Sequence, residues 1–321
     1  RVRAVMEEVF GEENFISLIP FKTTTSTGAT FLEGVCDYLV WFSKSKKDLK
    51  YRQNYQAKEI GGDGGTAYGR VELPHGERRG INSVEKADIS KLSSESRIYR
   101  IDNLTSQRPA QGADLRTFKF SGKNYSPGRG TFKTDLNGLN TLSKAGRLEA
   151  TVSGKLYYVR FIDDFPVYPL ANQWNDTSIA GFAADKVYVV QSSTKVIQRC
   201  MLMATDPGDL VLDPTCGSGT TAYVAEQWGR RWITVDTSRV SLALARARIM
   251  GARYPYYLLA DSRDGQIKEA EVARTTPSSQ TTSGNIGHGF VCERVPHITL
   301  KSIANNTEID VIWDKFQKIL E

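Results

Sequence analysis

The sequence predicts an α/β protein built on a doubly wound parallel sheet, with a basic, β-rich region inserted into it. Beyond residue 185, short apolar runs alternate with helical patterns, an order typical of parallel sheets covered by helices. Residues 50–155 instead show weak periodicity, many Gly and Ser, and short alternating stretches, which indicates irregular β structure. At 321 residues the chain is long enough for about two domains.

The amino-terminal elements are predicted to be one helix and two strands. Apolar residues recur at helical spacing over residues 2–10, and Gly11 follows as a stop. Residues 15–20 and 38–42 have strand composition. Inside the inserted region we expect short strands at 97–101 and 117–120, and a helix over 135–144.

The second half of the chain alternates strand and helix. The patterns predict strands at 186–191, 210–212 and 232–235 and helices at 194–204, 220–228 and 238–250. Gly229 and Gly251 mark two helix ends, and Ser238 is an expected N-cap. Residues 275–284 have the composition of a flexible linker, and residues 290–303 alternate like a strand.

Positive charge is concentrated in the middle of the chain. The net charge is +6, made up of −3 in residues 1–40, +11 in residues 41–160 and −2 in residues 161–321. A local positive surface suits a polyanion such as nucleic acid, because neutralised phosphates release counterions. A solvated basic face without a partner explains the charge equally well.

Several classes of protein are disfavoured by composition. No apolar run approaches the roughly 18 residues of a membrane helix, so we expect no membrane partner. The four cysteines are far apart and there are three histidines, which predicts reduced thiols and no metal site. The opening residues lack an apolar signal region, which favours a cytoplasmic location. Because no initiator Met is present, we expect a piece of a longer protein.

One segment carries the chemistry. In residues 207–236, a strand ends at Asp213, the loop 214–219 follows, and a helix starts near Thr220. Gly217 and Gly219 allow the backbone to approach a ligand, and a helix start favours its negative groups. Asp236 ends the next strand, where a carboxylate can accept hydrogen bonds from both ribose hydroxyls. The pattern predicts an adenosine-cofactor pocket, with a turn that serves packing only as the alternative.

Two cofactors fit this pocket. Gly217, Gly219 and Ala222 match the G-x-G-x-x-A form of the dinucleotide fingerprint, which alone is weak. Asp213 precedes the glycines, where it would repel a pyrophosphate but attract the ammonium of a methionine-like ligand. The charge therefore favours S-adenosylmethionine over NAD.

These residues resemble a known family. LDPTCGSGTT (212–221) followed by GRRWITVD (229–236) is similar to the cofactor motif of the β-class DNA amino-methyltransferases, which include the modification subunits of type III restriction systems. The resemblance implies a methyltransferase sheet with an inserted target-recognition region. It divides the chain into a first part of the core (1–48), the basic recognition region (49–160), the cofactor-binding part of the core (161–265) and a linker with a carboxyl-terminal extension (266–321).

The resemblance also implies roles for individual residues. Asp213 and Pro214 would hold the methionine end of S-adenosylmethionine, and Gly217 and Gly219 would form the loop beneath it. Ser218 and Thr220 would hydrogen-bond its carboxylate region, and Asp236 its ribose. Lys195, in a segment similar to the helix before the family's cofactor strand, is a further cofactor candidate.

The family's catalytic motif, Asp/Asn/Ser-Pro-Pro-aromatic, does not occur in this sequence. In the β class it precedes a helix like residues 2–10, so we expect that the chain begins after it and is inactive alone. The resemblance implies methylation of an exocyclic amino group, adenine rather than cytosine, on a base flipped out of double-stranded DNA. It also implies a restriction subunit and a homodimer as partners.

Candidate DNA contacts lie in the basic region. The side chains expected to reach phosphates are Arg78, Arg79, Lys123, Arg129, Lys133 and Arg147. Tyr125 and Phe132 are candidates for stacking on bases, and Trp174 and Asp176 for lining the mouth of the active site.

Two rival functions remain open. A non-catalytic DNA-binding module with the same fold would bind DNA regardless of cofactor, and the missing catalytic motif favours it. A nicotinamide-dependent oxidoreductase would bind NAD at the glycine loop but would leave the basic region unexplained.

Overall fold

The computed structural model describes residues 1–24, 28, 30–112, 114–178 and 193–320. The strand predicted at 186–191 lies outside these residues. The helices are α1 Val2–Phe10, α2 Ser83–Ala87, α3 Leu136–Lys144, α4 Thr194–Ala204, α5 Thr220–Gln227, α6 Arg239–Gly251, α7 Arg263–Ala273, α8 Leu300–Ala304 and α9 Glu308–Leu320. The strands are β1 Phe15–Lys22, β2 Cys36–Phe42, β3 Tyr55–Ala57, β4 Glu59–Ile60, β5 Gly64–Gly65, β6 Arg70–Glu72, β7 Arg78–Gly80, β8 Arg97–Asn103, β9 Thr105–Ser106, β10 Phe118–Phe120, β11 Lys123–Tyr125, β12 Thr131–Phe132, β13 Leu148–Ala150, β14 Leu156–Phe161, β15 Val167–Pro169, β16 Leu210–Asp213 and β17 Arg231–Thr234.

The chain divides into two compact units. Unit 1 contains residues 1–55 and 169–294, and unit 2 contains residues 56–168 and 295–321. The expected insertion, 49–160, is therefore shifted by several residues at both ends. The expected carboxyl-terminal extension, 266–321, is split between the units.

The predicted alternation of strand and helix in unit 1 is confirmed. Strands β16 and β17 pair in parallel, with Asp213 opposite Thr234 at their carboxyl ends. On one face of this pair, Val211 and Trp232 pack with Val224 of α5 and Met201 of α4. Each strand thus presents alternate residues to a helical layer.

The opposite face of the same pair is open. Leu210, Leu212, Ile233 and Val235 are each at least half exposed, at 54%, 64%, 50% and 52%. A doubly wound sheet would carry helices on both faces, and this second covering is not seen within the described residues. There the parallel sheet consists of these two strands and carries helices on one side.

The amino-terminal part of unit 1 forms the predicted helix and a hairpin. Strands β1 and β2 pair antiparallel. Ile19 of β1 packs against Leu170, Trp174 and Val196. This second core joins the first 55 residues to the chain that follows residue 169.

Unit 2 is built around an antiparallel sheet in the order β13-β14-β8-β6-β7. On one side, Leu139 and Leu142 of α3 pack with Ile303 and Ala304 of α8. The predicted helix at 135–144 is confirmed, with the Asp135 side chain accepting a hydrogen bond from the Gly138 amide.

The end of the chain differs from expectation. Residues 290–303 do not form a strand. Phe290 makes one isolated bridge to Leu259, and Leu300–Ala304 is helical. Helix α7 was not predicted, because its first turn contains Asp264, Gly265 and Gln266 and shows no apolar residues at helical spacing. Among the described residues, none of the helices has the length and apolar character needed to cross a membrane.

Candidate functional site

The glycine loop of unit 1 has a conformation that requires glycine. Gly217 and Gly219 have positive φ angles of 51° and 74°. A Cβ atom on Gly219 would lie 2.7 Å from the Cβ of Ala245 and 3.1 Å from its Cα. Helix α6 therefore packs directly against the start of α5, and only glycine fits between them.

Asp236 holds this loop at the end of β17. Its Oδ2 accepts a hydrogen bond from the Gly217 amide at 2.8 Å, and its Oδ1 accepts one from the Ser238 amide at 2.8 Å. These backbone donors lower the pKa of Asp236 below its usual value. The carboxylate is ionised at neutral pH and, having about four lone-pair sites, can accept further hydrogen bonds.

The carboxyl ends of β16 and β17 are tied together. The Val235 amide donates to the Asp213 carbonyl at 2.9 Å, and the Cys216 amide donates to the Val235 carbonyl at 2.8 Å. The Asp213 carboxylate is oriented by the Thr215 amide at 2.9 Å. The structure thus gathers Asp213, the loop 214–219 and Asp236 at one sheet edge.

Ser218 and Thr220 have partners within the protein. Both are buried, and their hydroxyl oxygens lie 3.1 Å apart. Arg248 of α6, which the sequence reasoning missed, donates to the Thr220 hydroxyl at 3.0 Å and to the Ser218 carbonyl at 3.3 Å. Its guanidinium also lies 4.9 Å from the centre of the Tyr223 ring. Arg248 therefore fixes the helix start that Ser218 and Thr220 form.

Lys195 is tied to an aspartate outside the glycine loop. Its Nζ lies 2.5 Å from Asp176 Oδ2, and Arg199 donates to the same carboxylate at 2.8 and 2.7 Å. Burial opposes ionisation of Asp176, but the hydrogen bonds from Arg199 and Lys195 hold its pKa below the usual value. Trp174 is buried in the core with Ile19 and Leu170, and it also lines a cavity in unit 1.

Three of the six candidate DNA contacts have internal partners. Arg78 pairs with Glu72 at 2.6 Å, Arg79 with Glu85 at 2.7 Å and Arg147 with Asp164 at 2.6 Å. Arg147 is also buried. These guanidinium groups serve the fold, because each partner is a carboxylate that the sheet or a helix places beside it.

The other three, Lys123, Arg129 and Lys133, are exposed. Tyr125 and Phe132 are buried in the core of unit 2, so the expectation that they stack on bases is corrected: strand alternation turns both rings inward. The excess of positive charge in residues 41–160 is divided between the two units. Lys44, Lys46, Lys47, Lys50 and Arg52 lie in unit 1.

The Arg79–Glu85 pair makes stability depend on pH. Hydrogen bonds from Arg79 and the Asn82 amide lower the pKa of Glu85 from 4.5 to about 2. A lowered pKa stabilises the folded state above the unfolded value and loses that effect as pH falls. We therefore expect wild type to have a higher free energy of unfolding than Glu85→Gln at pH 6. This difference should disappear as the pH falls from 4.5 to 2. Urea unfolding at several pH values measures this, and a constant difference would contradict it.

Comparisons with known proteins agree with the sequence patterns. The sequence matches a family model described as DNA methylase over residues 1–246. The Type II methyltransferase M.EcaI of Enterobacter cloacae is 23% identical over 258 residues, covering 79% of this chain and 51% of that protein. The Type II methyltransferase M2.DpnII of Streptococcus pneumoniae is 42% identical over 59 residues, covering 18% of this chain and 22% of that protein.

A crystal structure of the M1.HpyAVI–SAM complex matches 25% of this chain and 39% of that chain, with 22% identity and a TM-score of 0.23. The chain spans about half the length of the first curated relative and about a fifth of the second.

Proposed function

Because this chain belongs to the family of N6/N4 DNA methylases, we propose that it binds S-adenosylmethionine and DNA as part of a site-specific DNA methyltransferase. The methyl group would pass to an exocyclic amino group, adenine in preference to cytosine, on a base flipped out of double-stranded DNA. The observation that carries the proposal is the Asp236–Gly217 hydrogen bond at 2.8 Å, which joins the acidic strand end to the glycine loop.

The residues at this edge suit S-adenosylmethionine. Its sulfonium supplies an activated methyl group when bound. Asp236, already ionised, would accept hydrogen bonds from the ribose hydroxyls. Gly217 and Gly219 carry no side chains, so the backbone at these two positions can approach the ligand closely. Asp213 would attract the ammonium. A pyrophosphate would meet the same Asp213 charge, which disfavours NAD.

The remaining residues have less direct roles. Ser218 and Thr220 would contribute through the backbone of the helix start, since their hydroxyls are engaged with each other. Pro214 would shape the loop. Lys195 would reach the cofactor only by leaving Asp176. Lys123, Arg129 and Lys133 would contact DNA phosphates.

The whole protein would act in the cytoplasm on double-stranded DNA, with a restriction subunit and a second copy of the methyltransferase as partners. Because the chain lacks an Asp/Asn/Ser-Pro-Pro-aromatic motif, we expect this chain alone to bind the cofactor without methylating DNA.

Calorimetric titration with S-adenosylmethionine tests the cofactor site, with NAD as the control ligand. We expect saturable binding of S-adenosylmethionine, weakened about 10- to 100-fold in Asp236→Ala because charge-assisted hydrogen bonds are lost. Asp37→Ala, an exposed aspartate of the same unit, should bind like wild type. Binding of NAD in place of S-adenosylmethionine would refute the proposal.

The absent catalytic motif favours a second candidate, a DNA-binding module without catalysis. That protein would bind DNA with the same affinity whether or not S-adenosylmethionine is present. Fluorescence anisotropy of a labelled duplex, measured with and without saturating S-adenosylmethionine, separates the two candidates.

A further inference from the structure

A cavity of about 290 Å³ opens in unit 2. One wall comes from β8 and β14, which supply Asp102, Asn103, Tyr158 and Arg160. The rest comes from Lys133 and from residues 297–300, which lead into the first residue of α8. None of these residues contributes to the glycine loop of unit 1.

Strand register places four polar side chains on one face of the sheet. Tyr158 lies opposite Asp102, and Arg160 lies opposite Arg100. Residues directly opposite each other, and residues two apart along a strand, point to the same side of an antiparallel sheet. Arg100, Asp102, Tyr158 and Arg160 therefore form a single polar cluster.

This cluster has more cations than anions. Asp102 forms ion pairs with two guanidinium groups. Its Oδ2 lies 2.9 Å from Arg100 Nη2 and 3.7 Å from Arg160 Nη1. The nearby Asp164 carboxylate is engaged by both terminal nitrogens of Arg147. Lys133 adds a further positive charge at the cavity.

Lys58 lies close enough to interact electrostatically with the charged residues of this cluster. Burial lowers its pKa, and the charges of Arg160 and Arg100 lower it further. Its Nζ donates to the Phe165 carbonyl and, at 3.4 Å, to the Tyr68 hydroxyl. The Asp164 and Asp102 carboxylates raise the pKa of Lys58, but by less than the two arginines lower it, so positive charge predominates around this lysine.

Buried donors accompany the charge. Tyr158 is 4% exposed. Within the described residues, neither its hydroxyl nor the Nε atoms of Arg100 and Arg160 have a hydrogen-bond partner. Burial raises the pKa of Tyr158 to about 12, so the hydroxyl keeps its proton and can donate. Buried donors without partners are rare in folded proteins because each costs its desolvation energy.

We propose that this cavity binds a phosphate group, with Arg160 and Lys133 balancing its charge and the Tyr158 hydroxyl donating a hydrogen bond. A phosphate offers more than one negative charge and several acceptor oxygens in a tetrahedral arrangement, which suits donors converging from two strands and a loop. A carboxylate brings one charge and two coplanar oxygens, and would leave the excess partly unbalanced. The phosphate comes from the DNA backbone or from a free nucleotide, and only the first source rests on the proposed function.

Three single variants of the full chain test the pocket. Lys133→Gln removes an exposed charge, and Tyr158→Phe removes one hydroxyl while keeping the ring in the core. Lys155→Gln is the matched control, an exposed lysine of unit 2 outside the cavity. Thermal unfolding checks that all three variants are folded.

Two ligands distinguish the sources. The first is deoxyadenosine monophosphate, titrated calorimetrically. The second is a labelled duplex of random sequence, titrated at several KCl concentrations. A backbone site should reduce the slope of log affinity against log salt by about 1 in Lys133→Gln, and Tyr158→Phe should weaken duplex binding. A free-nucleotide site should lose nucleotide affinity at least about fivefold in both variants, with the duplex slope unchanged.

The outcomes separate this proposal from the methyltransferase proposal. If Lys133→Gln and Tyr158→Phe match Lys155→Gln with both ligands, the phosphate pocket is refuted, whatever unit 1 does with S-adenosylmethionine. The opposite outcome is that the wild-type protein binds no S-adenosylmethionine, while both variants bind the nucleotide more weakly than wild type does. In that case the pocket stands and the proposed function fails.

Discussion

Asp164→Ala is expected to lower the free energy of unfolding of unit 2 by about 3–5 kcal/mol, the usual cost of leaving a buried charge without its partner. Asp164 is 1% exposed and Arg147 8% exposed. The two groups share hydrogen bonds of 2.6 and 2.9 Å, and Asp164 Oδ2 also accepts from the Phe161 amide at 2.9 Å. The variant would leave the Arg147 guanidinium and the Phe161 amide without these hydrogen-bond acceptors.

Urea unfolding followed by circular dichroism measures the effect, and Asp163→Ala is the control. Asp163 is the exposed neighbour of Asp164 in the chain, so its loss should change stability by less than about 0.5 kcal/mol. Adding Arg147→Met to Asp164→Ala should recover much of the loss, because removing both charges is far less costly than removing one. A double variant that is no more stable than Asp164→Ala would show that the ion pair is not the cause.

Gly219→Ala is expected to destabilise unit 1 by about 2–5 kcal/mol and to abolish the proposed binding of S-adenosylmethionine. About 1–2 kcal/mol comes from placing a side chain at a left-handed backbone position. Overpacking of a tight contact typically adds about 1–3 kcal/mol. The new methyl group would lie 2.7 Å from the Ala245 Cβ, so α5 and α6 would have to separate at the glycine loop.

Gly251→Ala provides the matched control. Gly251 ends α6, and a Cβ atom added there would have no neighbouring atom within 4 Å. The substitution should therefore leave stability unchanged or raise it by about 0.4–1 kcal/mol. Combining Gly219→Ala with Ala245→Gly relieves the contact but not the backbone strain, and should restore part of the loss. If Gly219→Ala unfolds at the wild-type urea concentration, the close approach of the two helices is not rigid.

Local sequence predicted unit 1 well because its elements carry their own boundaries. Ser238 caps α6 by accepting a hydrogen bond from the Ser241 amide, and Gly229, with a φ of 69°, follows α5. Unit 2 was less predictable. Its strands are two to seven residues long, and β6 pairs with β8 although β7 and α2 lie between them in the chain. Such pairing depends on distant residues, which periodicity does not report.

The positions of the candidate site residues in the fold could be predicted from the sequence more completely than their contacts could. The positions of Asp213, Gly217 and Asp236 follow from strand, loop and spacing. The partners of charged side chains do not, since Arg78 and Arg147 carry no sequence mark that separates them from exposed Lys123. Arg248 was missed because Arg246 and Arg248 both lie on α6, and only packing shows which one faces Ser218 and Thr220.

The two units are interleaved along the chain, and this has a consequence for folding during synthesis. Residues 1–55 leave the ribosome before their core partners Leu170, Trp174 and Val196, which follow only after most of unit 2. Unit 2 in turn lacks Ile303 and Ala304 from its core until translation has passed residue 304. Neither unit can therefore finish folding in the usual amino-to-carboxyl order. The nascent chain must keep both apolar surfaces from aggregating until residues 295–320 have emerged, which makes a pause in translation between residues 170 and 300 more damaging than for domains arranged in sequence.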